Sequence, residues 1–158
     1  MAPYRAKRRL GQHFLKSDAI VARIVALADL HPTDTVVEIG PGRGRLTLPL
    51  AETGARVLAV EFDRDLRGYL TKLTSCYTNV EILHADFLSL DPSAHGLDRF
   101  VLVGNIPYNI TSPVIAWCAQ QHRLIHKGVL MVQKEMAERI GGQPGTRNWS
   151  PIAIATQV

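Results

Sequence analysis

Apolar residues along this chain fall into two alternating kinds of run. Short, largely apolar stretches at Val36–Ile39, Arg56–Glu61, Val80–His84, Phe100–Val103 and Gly128–Val132 predict strands. The first of these is apolar enough to be buried on both faces. Between them lie stripes at helical spacing. Ile20, Ile24 and Leu27, with Val21, Val25 and Ala28 beside them, predict a helix capped by Ser17 and ended by His31-Pro32. A helix is expected from about Arg45 to Thr53, with Pro49 producing a kink or a short first segment. Leu66, Tyr69, Leu70 and Leu73 share a helical face behind the cap Asp63. Pro113 opens a helix running to about Gln121, and another spans Lys134–Ile140. Ser89–Asp98 and Gly141–Gly145 are expected loops, and the run 151–158 is too short for its period to decide between helix and strand. Five strands alternating with helices imply an α/β fold with a parallel sheet and right-handed crossovers.

The first strand runs into Glu38 and then into Gly40, Gly42 and Gly44. Glycine lacks a Cβ, so the backbone there turns tightly and lies close to a ligand. A dinucleotide fingerprint, G-x-G-x-x-G, would need its third glycine at position 45, which is Arg45. The pattern is instead E-x-G-x-G-x-G, which resembles the first motif of S-adenosylmethionine-dependent methyltransferases. On this stretch alone, NAD binding and a plain tight turn stand as alternatives.

In open α/β sheets, ligands bind beyond the carboxyl ends of the strands. Those ends supply Glu38 with the glycine loop, then Glu61, then Asp86, then Asn105-Ile106-Pro107-Tyr108. Glu61 sits where an acidic residue meets ribose hydroxyls. Asp86 suits an adenine amine. Asn105 offers a side-chain carbonyl, Ile106 a main-chain carbonyl held in restricted geometry by Pro107, and Tyr108 a flat π face. That set fits a planar base with an exocyclic amine, with two acceptors for its N–H bonds and one ring to stack on. Acceptors out of the ring plane favour a pyramidal nitrogen whose lone pair can attack a sulfonium methyl, and proximity supplies much of the rate. An Asn-x-Pro turn beside a core tyrosine is the plainer alternative.

Composition narrows the class. The chain has 158 residues, 46% of them hydrophobic, which is one folded domain's worth. No apolar run approaches the ~18 residues of a membrane span, and the basic start lacks the apolar segment of a secretory signal. Cys76 and Cys118 have no metal-ligand or C-x-x-C spacing, so no metal is expected and the thiols fit a reducing cytoplasm. Net charge is +4. Arg5, Lys7, Arg8, Arg9 and Lys16 cluster at the start with no acidic residue among them, a footprint for RNA or else a solvated terminus.

Six stretches taken together resemble the ribosomal RNA adenine dimethyltransferase family, most closely its small-subunit branch. They are Gly11–Leu15, Val37–Gly42, Val60–Asp63, His84–Asp86, Gly104–Ile110 and Gln133–Arg139. The resemblance implies a Rossmann-like methyltransferase domain with a mostly parallel sheet, S-adenosyl-L-methionine as cofactor, and two methyl transfers to adenine amines in a small-subunit RNA hairpin, linked to ribosome assembly. It implies that His13, Leu15 and Gly40 contact the cofactor near its methionine and ribose. Glu61 would meet the ribose, Asp86 the cofactor adenine, Asn105 both cofactor and target amine, and Tyr108 the target base. His13 stands where the family often has Asn. Residues 1–16 are expected to be a basic arm and loop. Residues 17–158 are expected to be the methyltransferase domain without its last strands, a Phe-containing Pro-rich motif or the helical C-terminal domain, leaving a sheet edge exposed. The alternatives within and beyond the class are a large-subunit methyltransferase conferring macrolide resistance, a noncatalytic RNA-binding assembly factor, a DNA adenine methyltransferase, and an NAD-binding oxidoreductase, which Arg45 disfavours. No oligomeric state is implied.

Overall fold

The computed structural model describes Leu15 and residues 17–148. Strands β1 (Thr35–Ile39), β2 (Arg56–Glu61), β3 (Val80–His84), β4 (Phe100–Asn105) and β5 (Ile125–Met131) form one sheet in the order β3-β2-β1-β4-β5. Every neighbouring pair is parallel. Helices α1 (Asp18–Ala28), α2 (Thr47–Glu52), α3 (Arg64–Leu73), α4 (Thr111–Gln120) and α5 (Lys134–Ile140) intervene. Strand order reverses at β1, which pairs with β2 on one side and β4 on the other. At such a reversal the crossovers leave toward opposite faces and open a crevice at the strands' carboxyl ends.

The core lies on both sheet faces, as the period of two requires. On one face Val36, Val57, Ala59, Val101 and Val103 pack with Val21, Ile24 and Ala28 of α1 and Leu50 of α2. On the other, Val37, Leu58, Val60 and Leu102 pack with Phe87, Phe100 and Trp117. The central strands are buried almost throughout, whereas β3 and β5, at the margins among the described residues, are only partly covered.

Several expectations need correcting. Helix α1 turns Val21, Ile24 and Ala28 inward, while Ile20 and Leu27 stay 44% and 55% exposed. Two apolar stripes lie side by side on this helix, and the one ending in the small Ala28 meets the sheet. The helix ends at Ala28, ahead of Pro32, because Asp29 adopts φ 51° and its N–H bonds to Val25 O. Helix α2 starts two residues later than expected, at Thr47, so Pro49 falls in the first turn, the part of a helix that tolerates proline best. Tyr69 is exposed, and Leu66 and Leu70 carry the buried face of α3. The stretch 89–98 is a loop, as expected, but it is pinned to the core by buried Leu90, Pro92 and Leu97 and carries a short 3-10 turn at Ser93–His95. Strand β5 begins earlier, at Ile125, and tolerates Lys127 because Lys127 Nζ donates to Ala28 O at 3.2 Å and lies 3.6 Å from Asp29. Helix α4 starts at Thr111, with Pro113 again in the first turn. Strands β2 and β3 and helix α5 span the residues expected of them. Residues 151–158 lie outside the described residues.

Candidate active site

The carboxyl ends of β1, β2, β3 and β4 open into a cavity of about 270 Å³. The turn after β1 forms one wall. Gly40, Gly42 and Gly44 all have left-handed φ, at 63°, 58° and 74°, a region that disfavours any side chain. A Cβ on Gly40 would touch nothing within 4 Å, so the turn leaves open space there. Gly40 N–H bonds to Val60 O at 3.0 Å and Gly44 N–H to Pro41 O at 2.8 Å, which pin the turn to β2 and to itself. The Arg45 guanidinium pairs with Asp18, tying the turn to the start of α1.

Glu61, at the end of β2, is 4% exposed. Its Oε2 accepts from Gly42 N–H at 3.0 Å and its Oε1 from Asp63 N–H at 2.8 Å. Burial raises its pKa, and the two N–H donors hold part of that rise back. Each carboxylate oxygen keeps acceptor capacity for a second donor. His84 Nδ1 lies 2.8 Å from Glu61 O and steadies the strand end. Asp86 is exposed on the wall, and its Oδ1 accepts from Leu88 N–H at 3.0 Å, starting the 3-10 turn.

Glu38 is 2% exposed, and neither its Oε2 nor Thr47 Oγ1 has a hydrogen-bond partner among the described residues. Burial pushes its carboxyl up to about 8; the Thr47 hydroxyl, nearby but outside hydrogen-bond geometry, offsets part of that through its dipole, and the charge of Glu61 adds to it.

Strand β4 ends with Asn105, which lines the cavity and is half-buried. Gly104 lets it arrive there, since a Cβ at 104 would lie 2.9 Å from Ile106 Cδ1 and 3.0 Å from Ile39 Cβ. Ile106 N–H bonds to Met131 O at 2.9 Å. Thr111 Oγ1 donates to Pro107 O at 3.0 Å, fixing the 3-10 turn Tyr108–Ile110.

Leu15, Glu38, Gly40, Gly42, Glu61, Asp86, Asn105 and Pro107 therefore share one cavity. Tyr108 is not on its wall but adjacent to it, 61% exposed. His13, Arg5, Lys7, Arg8 and Arg9 lie outside the described residues. Phe62, Arg43, Arg45, Asn109 and Ile110 also line the cavity, and sequence reasoning missed them. Phe62 carried a usable signal, because a large apolar residue directly after an acidic strand end is left 58% exposed there. Among the described residues no cluster of His, Cys, Asp and Glu is arranged to hold a metal, and no helix is long and apolar enough to cross a membrane.

The family model for ribosomal RNA adenine dimethylase matches residues 4–158. The ribosomal RNA small subunit methyltransferase A of Thermosynechococcus vestitus is 42% identical over 158 residues, covering 97% of this chain and 58% of that protein. The structure of a dimethyladenosine transferase from Plasmodium falciparum superposes with a TM-score of 0.79 at 33% identity, over 90% of this chain and 51% of that one. The 23S rRNA methyltransferase ErmE superposes with a TM-score of 0.74 at 36% identity, over 80% of this chain and 50% of that one. The chain thus spans between half and three fifths of the length of these proteins, and with a match along nearly all of its own length it belongs to the ribosomal RNA adenine dimethylase family.

Proposed function

We propose that this chain is the cofactor-binding and methyl-transferring part of an S-adenosylmethionine-dependent adenine dimethyltransferase acting on small-subunit ribosomal RNA in the cytoplasm. The observation that carries it is the convergence of the glycine turn, Glu61, Asp86 and Asn105, from four successive strand ends, on one cavity. The residues fit the cofactor. An orphaned buried carboxyl oxygen at Glu38 suits a cationic ligand, the open space beside Gly40 suits close approach, and Glu61 retains acceptor capacity for ribose hydroxyls. Leu15 and Phe62 offer apolar surface, and Asp86 accepts from an adenine amine.

When bound, the cofactor supplies a methyl group on a sulfonium, ready for displacement by a nucleophile. The protein's share is positioning. Asn105 Oδ1 and the Ile106 carbonyl accept the two N–H bonds of the target amine and favour a pyramidal nitrogen. Pro107 restricts the Ile106 carbonyl, and the ring of Tyr108, exposed next to the cavity, stacks on a base splayed from its loop. Orientation of nitrogen against methyl gives most of the acceleration, and no strong base is needed. The basic residues Arg5, Lys7, Arg8 and Arg9 add phosphate contacts. The small-subunit target is preferred to a large-subunit one because of the 42% identity along 97% of the chain.

The test is calorimetric titration of the chain with S-adenosylmethionine, followed by methyl incorporation into small-subunit and large-subunit RNA by the full-length protein. Saturable binding and incorporation into small-subunit RNA are expected. Absence of binding by the folded chain and by the full-length protein alike would overturn the cofactor assignment.

A further inference from the structure

Glu38 is the buried ionisable group that the hydrogen-bond network of the site does not use. It is 2% exposed and lines the cavity, and its Oε2 has no hydrogen-bond partner among the described residues. The other buried side-chain atom in this condition is Thr47 Oγ1, on the neighbouring helix. Polar atoms this deep are normally satisfied, so an orphaned carboxyl oxygen on a cavity wall points to a partner that arrives with a ligand.

The groups around it define what that partner is. Glu61 at the end of β2 lies close enough for its charge to oppose a second one at Glu38, and Asp63 follows it. Asp86 enters from the end of β3, and Arg43 and Arg45 from the turn. Helix α2 contributes the neutral Thr47, and β4 the neutral Asn105. His84 faces the Glu61 carbonyl. An ionised Glu38 would be a second buried negative charge beside Glu61, without a hydrogen bond to Oε2 to stabilise it. Such a group stays neutral until a cation arrives.

We propose that Glu38 is a proton-coupled counterion for the cofactor. In the empty site it is the neutral acid; when the cationic part of the ligand docks against the glycine turn, the O–H bond breaks, the proton passes to solvent, and the carboxylate left behind pairs with the cation. This rests on the cofactor proposed above. The cation is the sulfonium or the α-ammonium group of S-adenosylmethionine. Uptake of cofactor therefore becomes steeper as protons become scarcer. The ordinary acidity of a buried, like-charged carboxyl agrees with this, since Glu38 is pushed up to about 8.

The experiment is calorimetric titration of the 158-residue chain at pH 6.5, in buffers of different ionisation enthalpy, so that protons released on binding are counted directly. The cofactor's own amine, with a pKa of about 7.7–8.0, is already protonated there and contributes nothing. We expect release of about one proton per site with S-adenosylmethionine, and an affinity that rises roughly tenfold per pH unit between pH 6 and 7, below the range in which the cofactor's own amine titrates. S-adenosylhomocysteine keeps the ammonium and lacks the sulfonium. Release with both ligands assigns the ammonium as trigger, and release with S-adenosylmethionine alone assigns the sulfonium. In Glu38→Gln, checked for folding by circular dichroism, the release disappears and the affinity no longer varies with pH. Binding by the natural chain without proton release overturns the inference and leaves the cofactor reading standing, as does an undiminished release in E38Q. Failure to bind at any pH, by the folded chain and by the full-length protein alike, sinks both.

Discussion

Glu61 Oε2 accepts a hydrogen bond from Gly42 N–H at 3.0 Å, joining the end of β2 to the turn after β1. The same carboxylate that shapes the turn is the one proposed to hold the cofactor ribose. Glu61→Ala should therefore weaken S-adenosylmethionine binding by about 10- to 100-fold, the range for losing charged hydrogen bonds, as read by calorimetry. An affinity unchanged within twofold would remove Glu61 from the site.

Asn105 ends β4 and Tyr108 opens the 3-10 turn that follows, in different surroundings, one on the cavity wall and the other exposed. In the full-length protein, Asn105→Ala should abolish methyl transfer while leaving cofactor affinity largely intact. Tyr108→Ala should lower incorporation into RNA with no change in cofactor affinity. Full turnover by N105A would show that the motif does not do the proposed chemistry.

Glu38 gives stability a pH dependence of definite sign. Its folded pKa, about 8, lies above the ordinary carboxylate value of 4.5, so between those values the folded chain holds a proton that the unfolded chain has lost. Its contribution to stability is greatest at low pH and falls as pH rises toward 8, by a few kcal/mol in total. Denaturant unfolding from pH 5 to 9 should show that decline, and E38Q should flatten it. A profile identical in both proteins would mean that Glu38 is ionised in the fold.

Gly104 is needed for its lack of bulk. An alanine Cβ there would lie 3.1 Å from Ile39 O and closer still to two side-chain carbons. Main chain cannot give way cheaply at the centre of a sheet, so Gly104→Ala should cost about 1–3 kcal/mol and shift Asn105. Loss of transfer activity larger than the loss of folded protein would separate the two effects.

Much of this architecture was legible in the sequence, for identifiable reasons. Glu61 and Asp86 were found because they follow apolar strands with clear ends, and the parallel order follows from strand–helix alternation. The inward face of α1 was not legible, because Ile20 and Val21 belong to adjacent stripes of equal hydrophobicity and only the approach to β4 and β5 chooses between them. The loop at 89–98 was legible, but its anchoring was not, because Leu90 and Leu97 stand singly among polar residues and find their place only in the cluster around Trp117. Arg43 joins the cavity through the path of the turn, which local composition does not encode.

The pairing of β1 with β4 has a consequence for how the molecule assembles. Val36 pairs with Val101, and no hairpin joins any two neighbouring strands. Contacts so distant in sequence close slowly. The half of the cavity made by Glu38 and the half made by Asn105 meet only when that long loop closes. A refolding chain should regain its β2–β3 side, including the ladder from Val57 to Glu61, before it regains any capacity to bind ligand, so the site records the final chain crossing of the fold.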